Sequence, residues 1–408
     1  LGVHSNNLLK LSLEPIQLDE SLITEARRVL NAQPLYAQIY AHLQTEAEAT
    51  LGQSLDFKLQ DHLPPHSDRV FATADGQALK TLTIPGLFTY DGYHDFFKKK
   101  GMVFVRQTLQ ENWVLQNYAA DKVTDLPRLF DDLQKHYFNQ YARQWRTLLN
   151  NLKLKTARNI SEEIVLLDIL SGSETPLRPL LEAVERNTTL TRIEGQDAAP
   201  GQTDVGEKAK ALAAEVVPGD AAPDYARELE QQFEDVNYLV RSNSKSPPPI
   251  DSVLGSLNTV RGFMMQISDA AKGNEKALEV AINRMKGAGA SDSIKTAQEK
   301  FARQPEPFKS WFSSLTSSGS KLILASARSE INTVWKTDVL AKYTAGLQGR
   351  YPLYKNSPHD ATMTDFSRFF MPNGIIDKFF QNHLKEFVDT TPPIWRQLKK
   401  DNQAIGLS

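Results

Sequence analysis

His62-Leu63-Pro64-Pro65-His66 carries the i, i+4 spacing with which a helix presents two imidazoles to a metal. The two intervening prolines exclude that helix, and the glutamate that would act as general base is missing, so the stretch reads as a surface turn. Paired carboxylates are the next resource for acid–base chemistry. Asp131-Asp132, Glu162-Glu163 and the spaced pair Glu46 and Glu48 supply them, but neighbours on a helix point apart, and such pairs read as solvated faces. His94-Asp95 and His359-Asp360 fit helix starts, where an acid offsets the positive end of the dipole. Neither has a nucleophile motif beside it. No GxSxG elbow or phosphate loop occurs, and Gly86, Gly92, Gly346 and Gly349 lack the strand-to-helix setting such a loop needs. The chain has no cysteine, which excludes disulfides, thiol catalysis, cysteine–zinc sites and iron–sulfur clusters. Tyr137, Tyr141 and Trp145 resemble a platform for a sugar or base, yet their four-residue spacing within a continuous apolar stripe makes them core. Asn187-Thr188-Thr189 fits a glycosylation acceptor, a pattern with meaning only in a secreted eukaryotic protein. No catalytic residue, metal ligand or cofactor is assigned.

The elements that would hold these residues are mostly helical. The 408 residues allow two or three domains, each with its own core. Hydrophobic content of 40% and charged content of 24% are ordinary globular values. With 47 basic and 49 acidic residues, net −2, the chain offers no concentrated positive charge for nucleic acid. No run approaches the roughly 18 apolar residues of a membrane helix, and Leu1–Pro15 lacks the basic start and apolar core of a signal peptide, so the expectation is a soluble chain.

Leu35, Ile39 and Leu43 mark a helix within Leu22–Ala49, with Pro34 just before the repeat and Gly52 ending it. From Ser54 to Leu87 the pattern turns β-like: Asp75-Gly76 between Arg69–Thr73 and Leu79–Ile84 predicts a small hairpin. A turn-rich passage then leads into a helix near Tyr93, with Thr89 or Asp91 as its cap. Leu126, Phe130, Leu133, Tyr137, Tyr141, Trp145, Leu148 and Leu152 hold one helix face for about seven turns. Ile160–Leu170 is a denser apolar helix. Thr175-Pro176 places a capping hydroxyl before a proline at the first position of the next. Residues 194–223, rich in Ala, Gly, Asp and Pro, read as a linker. Val253, Leu257, Val260, Met264 and Ile267 form a coiled-coil-like seam. Farther on, Ile331, Trp335 and Val339 point inward. In Gly349–Phe380, Ser357 or Asp360 caps a helix with Met363, Phe366 and Phe370 on one face. Pro372-Asn373-Gly374 stops it, and a second helix buries Ile376, Phe380, Leu384 and Phe387. The expected fold is mainly α, an elongated set of antiparallel helical bundles with a small β-hairpin insertion near 54–87. Its expected divisions are 1–193, the linker 194–223, a second bundle 224–348 and an aromatic corner 349–408.

Several passages in order resemble the TssM or IcmF family, the large inner-membrane subunit of type VI secretion systems, in its periplasmic region. They are Ile84-Pro85-Gly86-Leu87-Phe88-Thr89 with Gly92-Tyr93; Trp113-Val114-Leu115; Tyr141 with Trp145; and Ser173–Leu181, which includes Pro176 and Leu177. They continue through Asn187-Thr188-Thr189-Leu190, Gly349-Arg350-Tyr351-Pro352, Asp365-Phe366, Arg368-Phe369-Phe370, Gly374 and Phe379-Phe380, and close on Trp395. Each motif alone is weak, but the ordered set is specific. At Leu115-Gln116 the family usually has Leu-Gly, which touches only a local turn. The resemblance implies a non-catalytic strut of a trans-envelope complex that anchors a contractile tail. Its partners would be further copies in a ring-like assembly, the outer-membrane lipoprotein TssJ and the inner-membrane subunit TssL, with no small-molecule substrate. It also implies a β-sandwich following the Trp395 region, where the lipoprotein docks, so this chain is expected to be the helical periplasmic part. Phe366, Phe369, Phe370, Phe379 and Phe380 would then be the hub set against that domain. Two other readings stand beside it: a cell-wall-cleaving enzyme with Glu162 as general acid, and a peptide- or sugar-binding module with an aromatic-lined groove.

Overall fold

The computed structural model describes residues 21, 25, 34–111, 126–192, 224–242, 246–268, 273–287, 292–400 and 403–406. Nearly all of the helix expected before Pro34, Trp113 with its neighbours, and the whole of the proposed linker 194–223 lie outside them. The described chain is mainly α, with three two-stranded sheets of very short strands. Contacts divide it into two units, each assembled from separate segments: residues 1–57, 84–144 and 187–231, and residues 58–83, 145–186 and 232–408.

In the first unit, helix Leu35–Leu51 buries Ile39, Tyr40, Leu43 and Ala47 and ends at Gly52, whose φ of 62° favours a residue without a side chain. A 3-10 turn, Gly86–Phe88, and a π-wound turn, Gly92–Phe97, lead into helix Lys98–Glu111. Leu126–Gln144 of the long helix Leu126–Asn151 buries Leu133, Tyr137, Phe138 and Tyr141, as the stripe requires.

The second unit takes the end of that helix, where Trp145 and Leu148 are buried. Asp75-Gly76 makes a turn, but the strand before it does not pair across it. Phe71–Thr73 pairs antiparallel with Leu152–Leu154, in register Phe71 to Leu154, while Leu79–Thr81 is a 3-10 turn. The distant partner wins because it brings Phe71 against Trp311, whose indole N–H donates to the Leu152 carbonyl at 2.9 Å. A second sheet pairs Phe57–Lys58 with Thr83–Ile84.

Helices Ile160–Ser171, Pro249–Ser268, Ser293–Phe301 and Phe308–Val334 pack together, and the seam Val253, Leu257, Val260, Met264 and Ile267 is wholly buried. Asn159 caps the first by accepting the Glu162 N–H at 2.8 Å. Thr175 accepts the Leu177 N–H ahead of helix Leu177–Thr188, the arrangement expected from Thr175-Pro176. Phe308–Val334 continues through a π-wound turn, Trp335–Leu340, to Gly346. Ile331 and Val339 are buried, but Trp335 is 42% exposed: where the winding widens, a four-residue repeat no longer tracks one face.

Candidate functional site

Among the described residues, no side-chain constellation suited to catalysis forms around His62, His66, His94 or Glu162. His62 ends the short helix Leu59–His62 and His66 lies in the turn after it, in left-handed conformation, both exposed. Glu162 is exposed and spent on its helix start, its carboxylate accepting from Arg158 N–H at 2.9 Å and Asn159 Nδ2 at 3.2 Å. That removes it as the general acid of a cell-wall enzyme. Glu163, expected on a solvated face with Glu162, points the other way and is buried. His94 Nε2 lies 3.1 Å from the Leu190 carbonyl, and Asp95 pairs with Lys99 at 2.7 Å. Burial lowers the pKa of His94, favouring its neutral form. Two open concavities of about 420 and 430 Å³ are lined mainly by proline, small and polar residues; neither has an aromatic wall.

Most of the described family-like residues instead gather at two places, one in each unit. The first is a knot around the Ile84–Tyr93 loop. Thr89 Oγ1 donates to the Gly86 carbonyl at 2.7 Å and accepts the Gly92 N–H at 3.1 Å, so Thr89 is the cap. A Cβ on Gly92 would stand 1.9 Å from the Gly86 carbonyl oxygen, and one on Gly86 3.0 Å from that of Leu55. Both glycines are therefore dictated by close backbone approach. The Phe88 N–H returns to the Pro85 carbonyl at 2.8 Å. Phe88 and Tyr93 join Phe97, Tyr137, Phe138 and Tyr141 in a ring cluster in which Phe97 and Tyr137 stack at 3.6 Å. Tyr137 donates to the Leu87 carbonyl at 2.8 Å and Tyr141 to that of Asn187 at 2.6 Å. Asn187 Oδ1 accepts the Tyr90 N–H at 2.9 Å. Asn187 is thus a buried structural clasp, and its side chain is closed to glycosylation. Burial holds the Tyr137 phenol well above its ordinary pKa and, with Asp224, raises Tyr93 to about 12, so these hydroxyls remain donors. In the second unit Trp145 and Leu177 are fully buried, and Pro176 stands at the helix start between Thr175 and Leu177.

The second place is the corner after Gly349. The Arg350 N–H closes a turn onto Leu347, and Tyr351, joined to Pro352 by a cis peptide, hydrogen-bonds through its N–H to His359. Helix Met363–Phe370 is capped by Thr362, not by Ser357 or Asp360. Thr362 Oγ1 accepts the Asp365 N–H at 3.0 Å and donates to the Asp365 carboxylate at 2.7 Å; Ser357 is committed to His359 in the preceding turn. Pro372-Asn373-Gly374 makes the expected stop. A Cβ on Gly374 would meet the Met371 and Arg368 carbonyl oxygens at 2.7 and 2.8 Å.

The faces of this corner differ from expectation. Phe369 and Phe379 are buried, as is Phe387. Phe366, Phe380 and Leu384 are half-buried, while Met363, Phe370 and Ile376 are exposed. A two-turn helix carries too few apolar positions for periodicity to say which face turns inward. Rings cover one another instead: Phe366 on Phe370 at 4.8 Å, Phe369 on Phe370 at 5.0 Å, Phe379 on Trp335 at 5.3 Å and Phe380 on Trp395 at 5.1 Å. Ile394 and Trp395, between strands Val388–Asp389 and Arg396–Gln397, are 81% and 57% exposed. The sequence reading missed Ile394 and Met371 as surface residues; their apolar type beside prolines was the available signal. His383, beside Phe379, has a buried Nδ1 without a hydrogen-bond partner among the described residues, and burial lowers its pKa.

Comparison with known proteins gives these places a setting. Residues 1–189 match the family profile "IcmF-related: Intracellular multiplication and human macrophage-killing", and residues 326–408 that of the type VI secretion protein IcmF helical domain. The type VI secretion system component TssM1 of Pseudomonas aeruginosa (strain PAO1) is 29% identical over 426 residues, spanning all of this chain and 37% of the relative's own length. Among solved structures, a chain of a type VI secretion system membrane core complex has a TM-score of 0.62 at 18% identity, covering 91% of this chain and 66% of its own. A second, from a type VI membrane complex, has a TM-score of 0.53 at 16% identity, covering 89% and 62%. At those identities the two structures share the fold. Two profiles at opposite ends and a relative aligned throughout converge on one likeness: the chain resembles the TssM/IcmF proteins of type VI secretion.

Proposed function

We propose that this chain is a structural component of a type VI secretion membrane core complex, working through protein–protein contacts and without catalysis. One observation carries the reading. Of sixteen large hydrophobic side chains left exposed among the described residues, twelve lie between Trp335 and Leu398 and four elsewhere. Concentrated exposed apolar surface marks a site of association, and this one falls within the stretch matching the IcmF helical domain. The family resemblance extends the reading to the periplasmic side of the inner membrane. It supplies the expected partners as well: further copies of the chain, TssL, and TssJ through a following β-domain.

The test pairs Phe370→Ser with Trp395→Ser in the full-length protein, measuring type VI secretion in cells and recovery of the assembled membrane complex by size. We expect normal folding with complex recovery and secretion reduced at least tenfold. Undiminished assembly and secretion in the double variant would overturn the assignment of this surface.

A further inference from the structure

Among the described residues, Glu163 is the one acidic side chain buried in the helical packing of the second unit without an ionic partner. It is 1% exposed, one residue after the exposed Glu162 on helix Ile160–Ser171. The Ser318 hydroxyl hydrogen-bonds to its carboxyl, and Oε2 has no partner among the described residues. Three other helices close around it. A Cβ on Gly319 would sit 3.6 Å from Glu163 Oε1, from Met264 Cε and from Ile294 Cδ1. The carboxyl thus faces Phe308–Val334 where that helix is small and polar, Thr316-Ser317-Ser318-Gly319-Ser320, and is flanked by apolar groups of Pro249–Ser268 and Ser293–Phe301.

We propose that Glu163 is a protonation-dependent latch, holding these helices closed while its carboxyl is neutral and loosening them when it becomes charged. The argument is one of cost. A neutral carboxyl needs little more than the Ser318 bond, whereas a carboxylate needs several donors or a cation to remain inside. None is supplied. On its own helix Glu162 is exposed and Asp168 is paired with Arg261 at 2.5 Å. On Pro249–Ser268 Arg261 is thereby engaged, and Asp251 is paired with Arg178. Lys295, Glu299 and Lys300 on Ser293–Phe301 are exposed, as are Lys309, Lys321 and Arg328 on Phe308–Val334, where Glu330 is half-buried. None of these contributes to the carboxyl's titration. Burial raises its pKa to about 7, opposed only by Ser318.

The direction follows from linkage. An unfolded glutamate ionises near 4.5 while the folded one keeps its proton to about 7. The stabilisation is therefore full below the unfolded value and is lost as pH rises through the folded one. Between pH 5 and 8 the open fraction of the four-helix packing should rise roughly a hundredfold, since each unit of difference is a factor of ten. Hydrogen exchange of the full chain reads this, after correction for intrinsic rates, at amides of Ile160–Ser171, Pro249–Ser268 and Phe308–Val334. Glu163→Gln should abolish the rise, and Glu162→Gln, on the exposed neighbour, should leave it intact. Equal pH dependence in the native protein and Glu163→Gln would overturn the proposal. If Glu163→Gln does not fold, Ser318→Ala decides: removing the bond that lowers the pKa must move the transition to higher pH, and an unmoved transition rejects the latch.

Discussion

Phe97 and Tyr137 stack at 3.6 Å and are both buried, whereas Phe366 and Phe370 meet at 4.8 Å with Phe370 left 44% exposed. The two aromatic clusters differ less in ring number than in how the rings are fastened. In the knot around Ile84–Tyr93, tyrosine hydroxyls tie rings to carbonyls of distant backbone, Leu87 and Asn187. Tyr137 and Tyr141 there serve burial and a hydrogen bond together. In the corner after Gly349 the rings are mostly phenylalanine and tryptophan on helices of two turns or fewer, and they cover one another. The first arrangement fixes a backbone; the second leaves apolar surface for something else to cover.

If that contrast is right, truncating a knot ring must cost far more than truncating a corner ring. Tyr137→Ala empties a fully buried site and leaves the Leu87 carbonyl without its donor. It should destabilise the first unit by about 3–5 kcal/mol, the range for large aromatic deletions. Hydrogen exchange at the Leu126–Gln144 amides should accelerate accordingly. A change below about 1 kcal/mol would erase the distinction between the two clusters.

A smaller change isolates the fastening. Tyr141→Phe keeps the ring and removes the hydroxyl that bonds the Asn187 carbonyl, so it should cost about 1–2 kcal/mol, the scale of losing a buried hydrogen bond. Chemical denaturation with an unchanged m-value would read it. A neutral result would mean that packing alone holds the knot.

How much of this was legible varied with element length. The stripe from Leu133 to Leu152 and the seam from Val253 to Ile267 could be read because many turns repeat the same spacing. The knot was legible as a set of motif residues, but its wiring, such as Tyr90 N–H to Asn187 Oδ1, joins positions 97 residues apart. The strand Phe71–Thr73 was visible and its partner was not: Asp75-Gly76 advertised a local hairpin while Leu152–Leu154 offered a place against Trp311. Thr362 was readable after all, since Thr362-Met363-Thr364-Asp365 is a threonine with an acid three residues on, the capping-box signature. Glu163 was not, because nothing in an adjacent pair of glutamates says which of the two a tertiary contact will bury.

The finest test lies in the corner itself. Phe370→Ala removes a ring already 44% exposed, and partly exposed side chains return only a fraction of the full burial energy. Thermal stability should therefore fall by less than about 1 kcal/mol. If this surface docks a partner as proposed, the lost area matters in association, where a central aromatic side chain commonly contributes about 2 kcal/mol or more. A partner's affinity for this surface should drop by about thirtyfold at that value, measured by titrating the isolated partner against native and variant chains. A fall in stability of 3–5 kcal/mol would place Phe370 with the knot residues, as part of the core. A small loss of stability with unchanged affinity would place the contact on the other side of the corner, around Ile394 and Trp395. The two clusters differ in purpose if Tyr137 and Phe370 separate on these two axes, stability for one and association for the other.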